Sequence, residues 1–462
     1  MTDNDKPRTC KRKSLLLRFS YGLLVVWLVP GIIGGIFYKD QFAASWITPK
    51  LDVPVVVIES DDWGLDYASR FVVPSRELDT QQAGGVKILS QALAAHHDCV
   101  GRNPIASAFI VVHQADTPAI AKDPRFEYHS RPIDQTMPRT VAALKDAASK
   151  GLFSLVYHGR DHRDAGLWAL KVQKAAERFQ ADGKEFDPEI VTTFLPRYDS
   201  REQDRMHAEY FDSRTGYLEA LPQGEVDRKV AQGLGEFERI FGKRPVSTVP
   251  PRYLWGPQAE AAFRANGIRY LHGANKQGGR YRGAGDIWTR SFGVRLSGPL
   301  VGIPRNADLE AGVQTSTPDP RSVIEPAEEA IAAGQPVVIS THAANYCSPN
   351  VALSQTMGSR LGEVLSSLES RHPNLRYLSS EELGQLGETG RVSISSANLP
   401  PSELRVATGL RHAWLWAVGI YEYRTKARWY LKGLGILVVC VLAATAAHLL
   451  RRRTIAPQAD SR

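Results

Sequence analysis

The chain has 462 residues, of which 43% are hydrophobic and 23% charged, so it is long enough for one large α/β domain with additions or for two or three ordinary domains. Its net charge of +8 comes from the two ends, because residues 1–38 hold six Lys and Arg against two Asp, and residues 430–462 hold five against one. The 46 basic and 46 acidic residues between them balance, which argues against nucleic acid as a partner of the main domain.

Two apolar stretches lie beside the basic ends. Residues 20–38 carry no charge and follow a basic cluster, and residues 431–450 precede three consecutive arginines, 451–453. A helix needs about 20 residues to cross a bilayer, and each stretch has nearly that length, so we predict two transmembrane helices. A cleaved signal peptide is the alternative for the first stretch, whose apolar core exceeds the about 7–15 residues usual for such peptides.

The positive ends predict the orientation of the chain. Basic residues favour the cytoplasmic side, which places the tails 1–19 and 451–462 in the cytoplasm and the intervening domain on the periplasmic or extracytoplasmic side of the plasma (inner) membrane. Residues 403–429 mix basic and aromatic side chains, which is typical of a segment lying in the membrane interface, with lipids as partners. A third span is the alternative for this segment. An outward location would permit a disulfide between Cys99 and Cys347, and two free thiols are the alternative.

Short apolar runs alternate with longer amphipathic ones over residues 50–395, which is typical of parallel β/α units. We predict a distorted (β/α)7–8 barrel flanked by the two transmembrane helices; an open doubly wound sheet is the alternative, without a glycine-rich nucleotide loop to support it. The predicted strands are 53–60, 105–112, 152–158, 244–251, 268–273, 336–342 and 375–380. The predicted helices are 86–97, 138–149, 225–241, 256–266, 322–333 and 358–371, with a helical excursion over 163–224 and a linker at 397–403.

Polar residues follow four of the predicted strands. The first strand ends in Asp61 and Asp62, and the others run into His158-Gly-Arg-Asp-His162, Arg252-Tyr253 and His342-Ala-Ala-Asn345. In a barrel the chemistry collects where the strands end, so we expect these side chains to share one site.

Two of these groups have the composition of a metal site. His158 and His162 are four residues apart, so on a helical turn both rings would project from one face. Zinc bound by two histidines takes a third ligand, often a carboxylate, and leaves a position open for water. On a regular strand the side chains of Asp61 and Asp62 would point to opposite faces, so both can reach such a site only if the strand ends there. The nearby Gly64 favours such an ending. Solvated or core histidines and a capping aspartate are the alternatives.

These residues and their order resemble the polysaccharide deacetylase superfamily, which includes chitin and peptidoglycan deacetylases, and they are closest to a divergent, membrane-anchored bacterial branch. The resemblance covers most of residues 52–390. It implies that Asp62, His158 and His162 bind one divalent metal, usually Zn²⁺. It also implies that Asp61 is the general base and His342 the general acid.

One motif departs from the family pattern. The family usually places an arginine before a proline pair, where it orients the catalytic aspartate, but here Val249 precedes the prolines and Arg252 follows them. We assign the orienting role to Arg252, with Arg160 or neither residue as alternatives. The candidates for contacting the substrate are Trp63, Arg160, Tyr253 and Asn345.

The resemblance implies a metal-dependent hydrolase that removes N-acetyl, or less readily O-acetyl, groups from a cell-envelope or exported polysaccharide. The alternative is a non-catalytic, membrane-anchored scaffold that keeps the fold and binds polysaccharide or a protein partner. Glycoside hydrolysis by Asp61 and a distant carboxylate would leave the two histidines unexplained.

Overall fold

The structure is a computed structural model that describes residues 48–65, 75–186, 204–277, 292–296, 298–311, 318–396 and 399–422. The predicted transmembrane helices and the two basic tails lie outside these residues. Within the described ranges, no helix is both long enough and apolar enough to cross a membrane.

The described strands and helices alternate along most of the chain. The strands are β1 (Val55–Trp63), β2 (Ala106–Ile110), β3 (His113–Ala115), β4 (Ser130–Pro132), β5 (Phe153–Tyr157), β6 (Phe211–Asp212), β7 (Glu219–Ala220), β8 (Ser247–Thr248), β9 (Tyr270–His272), β10 (Val294–Arg295), β11 (Val301–Ile303), β12 (Ala307–Asp308), β13 (Val337–His342), β14 (Arg376–Tyr377), β15 (Arg391–Ser396) and β16 (Leu399–Arg405). The helices are α1 (Ser75–Ala94), α2 (Thr117–Lys122), α3 (Ile133–Thr136), α4 (Pro138–Ser149), α5 (Ala165–Ala181), α6 (Gln223–Phe241), α7 (Pro257–Ala265), α8 (Arg321–Ala332), α9 (Val351–Arg371), α10 (Ser380–Thr389) and α11 (Gly409–Glu422).

One curled sheet forms the centre of the domain. Its order is β10-β11-β9-β8-β5-β2-β1-β13-β12, with β14 also beside β1, and its pairs are parallel except for β10 with β11. Only residues 304–306 connect β11 to β12, although these strands lie towards opposite ends of the sheet order, so the sheet must curl until its two sides meet. The prediction of an α/β fold with a barrel-like, mostly parallel sheet is confirmed. The two sides of the sheet are bridged by residues 304–306, and β11 does not pair with β12.

The sequence prediction of the elements succeeded where apolar runs were long. Each of the seven predicted strands overlaps a strand of the main sheet, whereas the short strands β10, β11 and β12 were not predicted. The predicted linker at 397–403 is wrong, since β15 and β16 pair there as an antiparallel hairpin. The predicted excursion 163–224 includes α5 and a small hairpin of β6 and β7.

The first strand decides which side chains face the interior of the curled sheet. Val55 through Ile58 are all fully buried, as is usual for a parallel strand covered on both faces. Val57 packs with Val338 and Ile303 in the interior cluster, and side chains alternate along a strand. Glu59 and Asp61 therefore point into the same interior as Val57.

The two cysteines of the main domain are free thiols. Cys99 is exposed, and Cys347 is buried with its thiol donating to the carbonyl oxygen of Ala343 at 2.8 Å. Burial, reinforced by the charge of Asp62, raises the pKa of the Cys347 thiol to about 12. Of the two alternatives for this pair, the structure shows the free thiols.

Candidate functional site

The end of β1 turns two neighbouring aspartates towards one site. Asp62 has a left-handed backbone, with φ of +69°, and the pairing of β1 with β2 shifts register before Trp63. Such an irregularity re-aims the side chains of a strand, so Asp62 escapes the strict alternation that would point it away from Asp61. Gly64 follows with φ of +80°, and a Cβ at this position would lie 2.4 Å from the carbonyl oxygen of Val111. Only glycine fits this turn.

The two histidines after β5 are brought together by a loop. The four-residue spacing would align the two rings on a helical turn, but residues 158–164 have no helical structure. Gly159 and His162 instead adopt left-handed conformations, with φ of +97° and +51°. This loop places the ring centres of His158 and His162 4.7 Å apart.

Asp62, His158 and His162 form a set that could hold a metal ion, with their ligand atoms within 4.8 Å of one another. Oδ1 of Asp62 lies 3.4 Å from Nε2 of His158 and 3.3 Å from Nε2 of His162. Nδ1 of His158 lies 2.7 Å from the carbonyl oxygen of Val249 and can only donate there, so in the neutral imidazole Nε2 carries the lone pair that a metal needs. Two imidazoles, one carboxylate and an adjoining cavity fit a catalytic zinc site.

His207 is a member of the site that the sequence analysis missed. Its Nδ1 lies 2.9 Å from Nδ1 of His162. A lone pair on Nε2 of His162 requires the proton on its Nδ1, so His162 would donate to His207 whenever it binds a metal. Burial, with the positive charge of Arg252, lowers the pKa of His207 to about 3, so its ring is neutral. Nδ1 of His207 also lies 3.3 Å from the carbonyl oxygen of His162, and it accepts from the His162 ring when its own proton is on Nε2. No signal in the sequence marks it, because it follows no strand and lies 45 residues from its partner.

Replacing His207 with Phe is expected to weaken zinc binding by about 10–100-fold, the usual cost of losing a group that orients a metal-ligating histidine. His207→Asn is the matched control, since its amide oxygen can accept from His162, and it should retain most of the affinity. Competition with a chromogenic chelator measures both. Equal zinc affinities for the Phe variant and the unmodified chain would contradict this role.

Asp61 is held by an arginine outside the predicted motifs. Arg305, in the segment that bridges β11 and β12, donates from Nη2 to Oδ1 of Asp61 at 2.7 Å and from Nη1 to Oδ2 at 2.5 Å. Its Nε also donates to Oε2 of Glu59 at 2.5 Å, and all three side chains are buried. Burial is the largest single influence and tends to raise the pKa of Asp61, but the charge and hydrogen bonds of Arg305 together with the charges of His158 and His342 outweigh it and lower the pKa, so Asp61 is ionised.

The orienting role predicted for Arg252, with Arg160 as the alternative, needs correction. The Arg252 guanidinium is 39% exposed and pairs with Asp204 at 2.8 Å, at the rim of the site. Arg160 pairs with its neighbour Asp161 at 2.6 Å. Arg305 takes the position beside Asp61 instead. Its only sequence signal is the short apolar run Leu-Val-Gly-Ile that precedes Pro304 and Arg305.

His342 faces the metal ligands from the end of β13. Its Nε2 lies 4.0 Å from Oδ2 of Asp62, and its Nδ1 contacts Oε1 of Glu310 at 2.6 Å. Burial lowers the pKa of His342, but Glu310, followed by Asp62 and Asp61, raises it to about 10, so the imidazole is protonated at neutral pH. Glu310 was not predicted, because it follows a strand of only two residues.

Two of the predicted substrate contacts are buried structural residues. Trp63 is fully buried, donates to Oγ of Ser60 at 3.0 Å and packs edge-on against Phe153, so it cannot stack on a substrate. Asn345 is also buried, and its amide donates to Oε2 of Glu310 at 3.0 Å, which positions the partner of His342. Arg160 has its charge paired outside the cavity. Tyr253 does line the cavity, where its hydroxyl accepts from Nη1 of Arg305 at 3.0 Å.

A cavity of about 140 Å³ joins these groups. It is lined by Asp61, Asp62, Leu65, His158, His162, His207, Val249, Arg252, Tyr253, His342 and Ala344. Pockets that enclose a whole small-molecule ligand usually measure about 300–1,000 Å³, so this cavity suits one small group of a larger substrate.

Glu209 fixes the loop that carries the two histidines. It is buried, and its carboxylate accepts the backbone N–H of Arg160 at 2.8 Å and that of His162 at 3.1 Å. Gly159 lies directly against it, because a Cβ there would come within 2.2 Å of Oε2 of Glu209. The loop therefore requires both the carboxylate and the glycine.

Substituting Gly159 with Ala is expected to lower the free energy of unfolding by about 1–3 kcal/mol, because it combines backbone strain at positive φ with a clash against Glu209. Gly183→Ala is the matched control, since Gly183 also has positive φ (+64°) but open space around it. Urea unfolding of both variants separates strain from clash. A loss no larger at Gly159 than at Gly183 would show that the close approach is unimportant.

Comparisons with known proteins leave the family of the chain open. No protein-family model matches it, and no curated protein matches it. Similar solved structures include a protein of Mycobacterium smegmatis assigned as a polysaccharide deacetylase (12% identity, TM-score 0.37, covering 73% of this chain and 94% of that one). Others are a Parabacteroides distasonis protein assigned as a glycoside hydrolase or deacetylase (10%, 0.40, 76% and 77%) and the 4-alpha-glucanotransferase of Thermococcus litoralis (10%, 0.35, 72% and 40%). Likenesses with 10–12% identity and TM-scores of 0.35–0.40 do not indicate a function for this chain.

Proposed function

We propose that the chain is a metal-dependent hydrolase that removes acetyl groups, N-linked in preference to O-linked, from a polysaccharide. The observation that carries this proposal is the convergence of Asp62, His158 and His162 beside a separate carboxylate. Asp61 lies next to the ligand set but is held by Arg305, and His342 approaches the same set from β13. These are the parts that hydrolysis of an amide needs: a metal site, a base and an acid.

Each residue has a protonation state that suits its proposed role. A zinc ion held by Asp62 and the histidines would lower the pKa of bound water to about 7 and polarise an acyl oxygen. Asp61, ionised beside Arg305, accepts the proton of the attacking water at its carboxylate. His342, protonated beside Glu310, donates from Nε2 to the departing nitrogen as the C–N bond breaks. Acetate and a free amine are the products.

The cavity supports a polymer substrate with a small reacting group. Its volume accommodates an acetyl group, while Tyr253 and Arg252 at its wall and rim are available to contact the sugar that carries it. We assign the polymer to the cell envelope or to exported polysaccharide, because we place the domain on the outer face of the plasma membrane. That placement follows from the predicted spans 20–38 and 431–450, with both termini in the cytoplasm.

The test uses the purified full chain. Zinc content is measured by elemental analysis, and acetate release is measured with acetylated glucosamine oligomers and with peptidoglycan fragments. We expect close to one zinc per chain, acetate release, and loss of both activity and metal after chelation, with recovery on adding zinc. A chain that binds no metal and releases no acetate would overturn the proposal in favour of a polysaccharide-binding scaffold.

A further inference from the structure

The chain enters and leaves the barrel at the same place. Leu51, which precedes β1, pairs with Val406, which follows β16. The carbonyl oxygen of Lys50 accepts the N–H of Ala407 at 2.5 Å, and the N–H of Leu51 donates to Gly334, just before β13, at 2.8 Å. These contacts lie at the end of the barrel where β1 and β13 begin, which we call the basal face.

The candidate site occupies the opposite end. Asp61 and His342 are register partners at the ends of β1 and β13. Six residue steps separate Val55 from Asp61, so the site is about 20 Å from the basal face along the strand. Both chain segments that lead towards the predicted spans thus leave from the side of the barrel remote from the cavity.

The first turns of α11 carry apolar side chains that the domain does not cover. Leu415 is buried with its side chain against Gly334, which docks the helix on the basal face. Leu410 is 90% exposed and Trp414 62% exposed, and the neighbouring Arg411 is exposed as well. Leucine and tryptophan with a basic neighbour are suited to the interface of a membrane with anionic head groups.

We propose that the basal face lies against the membrane surface, with Leu410 and Trp414 in the lipid interface, and that the candidate site opens away from the bilayer. The occupant of this exposed helix surface is lipid, because predicted spans precede residue 48 and follow residue 422 and would hold both ends of the domain at the bilayer. The consequence for the substrate rests on the proposed function: the site reaches polymer that extends away from the membrane, and does not reach acetylated sugar attached close to a lipid.

Fluorophore labelling of single cysteines tests the orientation. The full chain, with Cys10, Cys99 and Cys440 replaced by Ser, is reconstituted into vesicles of phosphatidylethanolamine and phosphatidylglycerol that carry a lipid-bound quencher in the head-group region. One variant carries Leu410→Cys. The other carries Arg125→Cys, at an exposed position in the loop that precedes β4. Tyr128 of the same loop contacts Asp161, which lies next to the site histidines, so this label reports on the end of the barrel that carries the site. The Leu410 label should be quenched strongly by the lipid and slowly by dissolved iodide, and the Arg125 label should behave in the opposite way.

Lipid quenching of the Arg125 label, or equal access of iodide to both labels, would overturn the orientation. This measurement uses neither metal nor substrate, so it stands or falls independently of the proposed hydrolase activity. Where activity is present, acetate should be released at least tenfold faster from a free oligomer than from the same oligomer tethered to vesicle lipid by a short linker. Equal rates would overturn the inference about the substrate.

Discussion

Asp61→Asn is expected to keep its zinc and lose most of its activity, whereas Asp62→Asn is expected to lose both. Asp61 has its two oxygens engaged by Arg305 and acts on the proton of water, so the amide removes a base while leaving the metal set intact. Removal of a general base usually lowers kcat by about 10²–10⁴-fold. Asp62 supplies the carboxylate nearest to both imidazoles. Loss of a group that only orients a metal ligand usually weakens metal binding by about 10–100-fold, and Asp62→Asn should weaken zinc binding by more than that because it changes a ligand itself.

Zinc content after dialysis and acetate release under saturating zinc distinguish the two phenotypes. His158→Ala serves as a second ligand variant and should behave like Asp62→Asn. Circular dichroism and urea unfolding would show that each variant is folded. Undiminished activity in Asp61→Asn, or loss of zinc from it in step with Asp62→Asn, would contradict the proposed division of roles between the two neighbouring aspartates.

The parts of this site that follow long apolar strands were predictable from the sequence. The runs before Asp61, His158 and His342 form the strands β1, β5 and β13, and parallel strands bring their ends to one edge of the sheet. The pairing of Asp61 with His342 in the register of two adjacent strands is the direct result. An apolar run and the polar residue that ends it are local in sequence, and this is why the prediction works.

The groups that orient these residues were not predictable. Arg305 is 244 residues from Asp61, and it lies between strands of three and two residues that give no periodic signal. Glu310 and His207 likewise lie in short or irregular segments whose position depends on how the sheet closes. The error at Trp63 has a related cause, since sequence alone does not reveal that the register shift after Ser60 turns this side chain into the core.

Arg305→Met is expected to lower the free energy of unfolding by about 3–5 kcal/mol at neutral pH, because it leaves two buried carboxylates without their shared cation. Glu59 and Asp61 are both buried, and Arg305 donates to each of them. Arg305→Lys should also destabilise the fold, since an ammonium cannot reproduce the forked contact with Asp61. The double variant Arg305→Met with Glu59→Gln should recover part of the loss, because it removes one of the two buried negative charges that lose the Arg305 guanidinium.

The pH dependence of this effect separates charge from packing. Burial tends to raise the pKa of Glu59, but His272 and Arg305 hold it at about 2, below its ordinary value of about 4.3. A lowered pKa stabilises the fold above the unfolded pKa, and that stabilisation is lost as the pH falls towards 2. The difference in unfolding free energy between the unmodified chain and Arg305→Met should therefore shrink between about pH 4.5 and pH 2. A constant difference across this window would mean that Arg305 acts by filling space between Phe109 and Tyr253, whose rings its guanidinium covers at 5.2 and 5.7 Å.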